Sequence, residues 1–199
     1  MDTKLIFVFD TETTGLPYTK DYTNLDKFNN ARLVQFSGIL YDMKEYKVVK
    51  EYDIYIKPDD FKINNSHIHH ITDEIANSKG IPIKKFFKKL KKILKYNPLV
   101  LVGHNIDFDN NIIKSELYRY KKDKLLNKFS KFNNYCTMKN CVNITKIKTN
   151  RGYKYPKLCE LYKYIFGYEP ENLHNSLYDT RYTLQCVKEL YNNDLIKLF

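Results

Sequence analysis

Long apolar runs are absent from this 199-residue chain. No stretch approaches the roughly 20 residues that a membrane-crossing helix requires, so no membrane span is expected. A targeting segment is missing too: Met1-Asp2-Thr3-Lys4 leads straight into a short apolar run, Leu5 to Phe9, that ends on Asp10. Secretory signals need a basic stretch followed by a longer apolar one, so the expectation is a soluble, intracellular protein, cytoplasmic or nuclear. Cysteine is scarce. Cys136, Cys141, Cys159 and Cys186 are widely spaced and none forms Cys-x-x-Cys, which argues against a disulfide framework and against a structural zinc site. Reduced thiols in a reducing compartment are expected. Repeats, linkers and low-complexity segments are lacking as well, and 199 residues suit one domain with a real core, over residues 1–199, rather than two. Acid is in deficit: 34 Lys and Arg stand against 23 Asp and Glu, a formal charge of +11. A surplus of that size favours a polyanionic partner, and on charge alone nucleic acid and an acidic membrane surface both qualify.

The chain is 43% apolar and 29% charged, a globular rather than a disordered balance. Leu5-Ile6-Phe7-Val8-Phe9 reads as a strand buried on both faces. Leu33 to Tyr41 and Val48 to Ile56 are further strands, the latter with Tyr52, Ile54 and Ile56 on one face and Pro58 closing it. Thr19 to Asn30 is polar and reads as a loop. From Ile83 to Tyr96 apolar residues recur at helical spacing, with seven lysines (84, 85, 88, 89, 91, 92, 95) between them; that charged face is either simply solvated or a surface for phosphate or membrane. Leu99 to Val102 is another buried strand. Helices are expected near 108–120, 157–166 and 177–191. Strands first, then helix–strand–helix, make one α/β domain.

Three short segments place acids at strand ends or helix starts. In Phe9-Asp10-Thr11-Glu12-Thr13-Thr14-Gly15 the residues Asp10 and Glu12 are two apart and share one strand face. Carboxylates that close repel and take up protons unless a cation sits between them; the bland alternative is a turn with solvated acids. In His104-Asn105-Ile106-Asp107-Phe108-Asp109, Asp109 falls in the first turn of the next helix if that helix starts near Asp107. Asp107 as an N-cap is the competing local role, and a calcium loop fails because Ile112 and Tyr118 occupy the glycine and closing glutamate positions. In His174-Asn175-Ser176-Leu177-Tyr178-Asp179, five helical residues turn about 500°, so His174 belongs on the entering loop and Asp179 in the helix. Ser176-x-x-Asp179 resembles a capping box, a role that competes with a site role for Asp179.

Taken in order, Phe-Asp-Thr-Glu-Thr-Thr-Gly, His-Asn-x-x-Phe-Asp and His-x-x-x-x-Asp resemble the three exonuclease motifs of the DnaQ-like (DEDDh) 3′→5′ exonuclease family, which includes polymerase III proofreading subunits and ribonuclease T. The likeness spans Asp10 to Asp179. It implies a ribonuclease H-like mixed β-sheet flanked by α-helices. It also implies that Asp10, Glu12, Asp109 and Asp179 are the four metal-binding acids and His174 the general base. Asn175 stands where the tyrosine branch of the family carries its Tyr, so the histidine branch fits. Two Mg²⁺ or Mn²⁺ ions are implied, with Asp10 bridging both, Glu12 and Asp179 completing one site, and Asp109 supporting the other directly or through water.

The resemblance further places Thr13, Thr14 and Gly15 at the terminal nucleotide. Leu16 falls where relatives wedge an apolar side chain against the last bases; ordinary core packing is the alternative. Asn105 and Phe108 flank the second motif as candidate strand-channel residues. His69-His70-Ile71-Thr72 resembles the family's His-Gly-Ile-Thr segment, and a zinc site on His67, His69 and His70 competes there with a packing role. Ser176 replaces the usual alanine, a change expected to matter little. The expected activity is removal of nucleotides from the 3′ end of single-stranded or frayed DNA. RNA as substrate, or a non-catalytic nucleic-acid-binding module on the same fold, are the alternatives. The expected partners are single-stranded 3′ ends and a DNA polymerase or repair complex.

Overall fold

The computed structural model describes residues 4–199, and its centre is the strand β1 (Leu5–Thr13). Strand β1 runs antiparallel to β2 (Leu33–Asp42) and parallel to β5 (Val100–Gly103). Outside these lie β3 (Lys47–Lys57), β4 (Ile81–Pro82) and β6 (Asn133–Cys136), giving a mixed six-stranded sheet in the order β4-β3-β2-β1-β5-β6. This is the mixed sheet flanked by helices that the motif resemblance implied.

Side-chain alternation along β1 explains both layers. Leu5, Phe7 and Phe9 enter one apolar cluster with Phe86 and Leu90 of helix α4 (Ile83–Ile93), Ile112 and Ile113 of α5 (Ile106–Arg119), and Leu126 and Phe129 of α6 (Asp123–Phe129). Ile6 and Val8 point the other way, onto Leu161 of α9 (Leu158–Phe166) and Leu184 and Val187 of α10 (Ser176–Asn192). Each large side chain fully buried this way contributes about 1.5–3 kcal/mol. The first layer is tied by aromatic contacts, with Phe9 and Phe36 centroids 5.8 Å apart and Phe36 and Phe86 5.0 Å apart.

The parity continues past the core. Asp10 and Glu12 follow Ile6 and Val8 on the α10 face, at the end of the strand where apolar neighbours stop.

Several expectations need correction. Residues 19–30 are not all loop, because Leu25–Phe28 forms a short helix whose N-cap, Asn24, accepts from the Lys27 N–H and whose Phe28 is buried. The lysine helix stops at Ile93 rather than Tyr96, where the backbone tightens into turns with the Lys95 N–H donating to the Lys92 carbonyl and the Tyr96 N–H to the Ile93 carbonyl. Ser66–His69 and Asp73–Lys79 are two further short helices. After β6 the chain makes two helical turns, Thr137–Asn140 and Val142–Thr145, and a small hairpin of Lys148–Thr149 with Gly152–Tyr153. No helix among the described residues is long and apolar enough to cross a membrane.

Candidate active site

Strand β1 and helix α10 meet where the apolar core ends. Asp10, Glu12 and Asp179 each offer a carboxylate oxygen there, and these oxygens lie within 4.8 Å of one another. Helix α10 is set by its entry. Asn175 is the N-cap, accepting from the Leu177 N–H at 3.1 Å. Buried Ser176 joins its hydroxyl to that of Ser37 on β2 at 2.6 Å. The capping-box reading of Ser176 and Asp179 therefore fails: the cap lies one residue earlier, and Ser176 docks the helix on the sheet. Asp179 is left to face β1, and its buried Oδ1 has no hydrogen-bond partner.

Asp109 comes from the opposite layer. It sits in the first turn of α5 and is 2% exposed. Its Oδ1 accepts from the Thr11 N–H at 3.0 Å and the Thr11 hydroxyl at 2.7 Å. Thr11 points away from Asp10 and Glu12, so Asp109 approaches the cluster around the end of β1 rather than from the α10 side. The three-oxygen cluster does not include it. Its charge nevertheless reaches the cluster, because it is the largest repulsive neighbour of Asp10. Asn105, not Asp107, is the N-cap of α5, with φ 70° and no side-chain bond; Asp107 pairs instead with Lys139 on the surface. Gly103, just before this turn, allows the tight junction, since a Cβ there would sit 3.1 Å from Ile106 Cβ and 3.2 Å from the Phe9 carbonyl.

Burial and crowding dominate the electrostatics. Desolvation, then repulsion from Asp109, Asp179 and Glu12, pushes Asp10 well above the usual carboxylate range. Glu12 is pushed up to about 8 by burial and by Asp179 and Asp109. Burial raises Asp109 to about 7 against the opposing Thr11 hydrogen bonds, and Asp179 to about 7 against the His174 backbone N–H. Four carboxyls that resist ionisation together form a site in want of positive charge. All-oxygen donors of this kind suit a hard divalent cation such as Mg²⁺ or Mn²⁺, so these residues fit such an ion.

The remaining candidates divide. His174 lies exposed on the loop entering α10, with φ 64°. Thr13 is buried and its hydroxyl donates to the Gly15 carbonyl at 2.7 Å. The Thr14 hydroxyl donates to the Asn30 carbonyl at 2.9 Å and accepts from the Arg32 N–H at 2.9 Å, so Thr14 is occupied within the protein. Gly15 lacks a side chain because a Cβ would lie 2.8 Å from the Asn30 carbonyl oxygen. Leu16 is 72% exposed, which removes the core-packing alternative. Leu16, Asn105 and Phe108 line a cleft of about 810 Å³ whose walls also carry Lys20, Lys114 and Lys139.

The histidine cluster at 67–70 is not a metal centre. His69 is buried with one ring nitrogen 3.1 Å from Asn65 Oδ1 and the other accepting from the Ile71 N–H at 3.1 Å, while His67 and His70 are exposed. Asn65 in turn donates to the Thr13 carbonyl at 2.8 Å, so His69 braces the end of β1. Sequence reasoning missed this link, and also His104, whose ring bridges the Thr137 hydroxyl at 2.9 Å and the Pro156 carbonyl at 3.0 Å. Neither partner is near in sequence, so no local pattern signals them.

Comparison with known proteins places the chain. A family model described as exonuclease, RNase T, matches residues 7–187. The DNA polymerase III subunit epsilon of Treponema pallidum is 30% identical over 122 residues, covering 60% of this chain and 49% of that protein. A PolC-type DNA polymerase III of Pediococcus pentosaceus is 24% identical over 180 residues, 88% of this chain and 10% of the polymerase. Among solved structures, Escherichia coli exonuclease I bound to a dT13 oligonucleotide superimposes with a TM-score of 0.74 at 20% identity, over 96% of this chain and 42% of that one. The chain thus spans half or less of the length of each of these relatives.

Proposed function

The chain belongs to the RNase T family of exonucleases, and from that premise we propose that it removes nucleotides one at a time from the 3′ end of single-stranded or frayed DNA, with two divalent cations. The observation that carries this reading is the convergence of Asp10, Glu12 and Asp179 within 4.8 Å, with Asp109 beside them. Asp10, Glu12 and Asp179 would hold the ions, with Asp109 supporting them through the oxygen that Thr11 leaves free or through water. Bound there, the ions supply a polarised water, neutralisation of the phosphate and stabilisation of the departing 3′ oxygen.

The chain's own groups do the rest. His174, exposed on the loop entering α10, takes a proton from the attacking water. The water oxygen bonds to phosphorus, the bond from phosphorus to the 3′ oxygen breaks, and that oxygen takes up a proton as the nucleoside 5′-monophosphate departs. Thr13, Thr14 and Gly15 fix the backbone next to the terminal nucleotide, Thr14 and Gly15 by bracing against the Asn30 carbonyl. Leu16 presents its apolar side chain to the last bases, and the cleft it shares with Asn105 and Phe108 receives the strand, with Lys20 and Lys114 facing phosphate.

DNA is favoured over RNA by the company the chain keeps, a polymerase III subunit and an exonuclease bound to a DNA oligonucleotide. A polymerase or repair complex is the corresponding partner. The test is digestion of matched DNA and RNA oligonucleotides labelled at one end or the other, with Mg²⁺ and with EDTA. A 5′-labelled DNA strand should shorten in a ladder, while a 3′-labelled one releases its label at once. Internal fragments, faster loss of RNA, or activity in EDTA would each overturn the corresponding part of the reading.

A further inference from the structure

Helix α4 spends its apolar face on the core: Ile83, Phe86, Phe87, Leu90 and Ile93 are all buried. Its lysines are exposed, and Lys84, Lys88 and Lys91 form one row along its flank. Across from that row lie Lys121 and Lys122, on the turn leading into α6, and Lys124 and Lys128 of α6 itself. Between them runs a groove of about 700 Å³ whose floor includes Phe87 and Leu125. Seven lysines line it against a single acid, Asp123, and none of the seven takes part in an ion pair among the described residues. The acids do not lack for partners elsewhere, since Asp107, Glu160 and Glu169 each hold a lysine.

The groove lies away from the candidate active site. Asp109 is in the first turn of α5, and Arg119 ends that helix ten residues on, a rise of about 15 Å; Lys121 and Lys122 follow beyond it. A cluster of unpaired like charges repels itself and is stabilised by an extended partner of opposite sign. A membrane surface is a poor match. A helix bound at that interface inserts an apolar face, whereas the apolar side chains of α4 are committed to the core and no large hydrophobic residue of α4 or α6 is exposed. A concave strip of ammonium groups fits a chain of regularly spaced phosphates.

We propose that the α4–α6 groove is a second nucleic-acid site, holding the phosphodiester backbone of the substrate at a distance from the end being cut. The groove adds affinity for long strands and plays no part in bond breaking, so a substrate short enough to fill only the cleft does not sense it.

The probe is a labelled 40-nucleotide single strand, with binding to the whole chain measured in EDTA over a range of salt, so that the outcome does not depend on cleavage. The variant is K84Q/K88Q/K91Q/K124Q, all exposed positions, with turnover of a trinucleotide as the check that the fold and catalytic site are intact. The expected result is at least a tenfold loss of affinity for the long strand and a salt dependence shallower by about 3 in slope, from roughly 0.7 per lost contact on a single strand. Trinucleotide turnover should stay within twofold. Unchanged long-strand affinity would overturn the proposal. So would an unaltered long strand coupled with lost binding to vesicles rich in anionic lipid, which would assign the groove to a membrane. If the chain instead cuts nothing, the catalytic reading fails while the EDTA binding result still decides the groove.

Discussion

Removing cations from the acidic cluster should make the fold sensitive to pH in a direction opposite to most carboxylates. In the unfolded chain Glu12 and Asp179 titrate at roughly 4, but in the fold they rise to about 8 and about 7. Between those limits the metal-free fold keeps protons that the unfolded chain has released. Stability from the protonated cluster is therefore full below about pH 4 and is lost as pH climbs through about 7 to 8. Carrying a single carboxyl from near 4 to about 7 is worth on the order of 4 kcal/mol, and the coupled set is not the sum of its members. For a chain this size that is a melting-temperature change of about 8–16 °C. Thermal unfolding at pH 5 to 8, in EDTA and in excess Mn²⁺, reads it directly. The Mn²⁺-induced rise should be small at pH 5 and grow to about that size at pH 8, and D179N should flatten the pH dependence in EDTA. A Mn²⁺ effect equal at both pH values, or none at pH 8, would show that the buried acids do not carry this charge penalty.

Further expectations follow from other parts of the molecule. Glu116 is buried and accepts from the Arg32 guanidinium at 2.8 Å and the Leu33 N–H at 3.2 Å; E116A leaves those two donors without their acceptor while Asp59 and Asp60 still balance the Arg32 charge, and should cost about 1–3 kcal/mol in denaturant unfolding. Its cation-induced stabilisation should be unchanged, since Glu116 does not belong to the three-oxygen cluster. Leu16 touches solvent rather than core; L16A should leave stability within about 0.5 kcal/mol while raising KM for single strands several-fold in steady-state digestion. H174Q should lower turnover by roughly a hundredfold or more without weakening Mn²⁺ binding measured by calorimetry.

Much of this architecture is written locally. The alternation of β1 fixed which face carries Asp10 and Glu12, and the end of its apolar run told where the site would open. Helix α4 was legible from its period because its apolar residues pack nowhere but the core. The ends were less so: past Ile93 the backbone closes in turns that bond three residues back rather than four, a change that leaves no periodic trace. Asp109 shows a different limit. Spacing put it in a first turn, but its approach from the far layer, anchored on Thr11, depends on how α5 packs under β1. Asn175 rather than Ser176 caps α10 because Ser37 on a distant strand claims the serine hydroxyl. Contacts such as His69 to Asn65 to the Thr13 carbonyl join segments 52 residues apart and need the fold to be seen.

If Asp10 and its neighbours hold the cations that drive strand cleavage, single-turnover digestion of a 5′-labelled single strand in Mg²⁺ should expose their loss in D10A. The rate in D10A should fall by at least about a thousandfold, with strand binding in EDTA retained. Cleavage by D10A within tenfold of the unaltered chain would contradict that assignment.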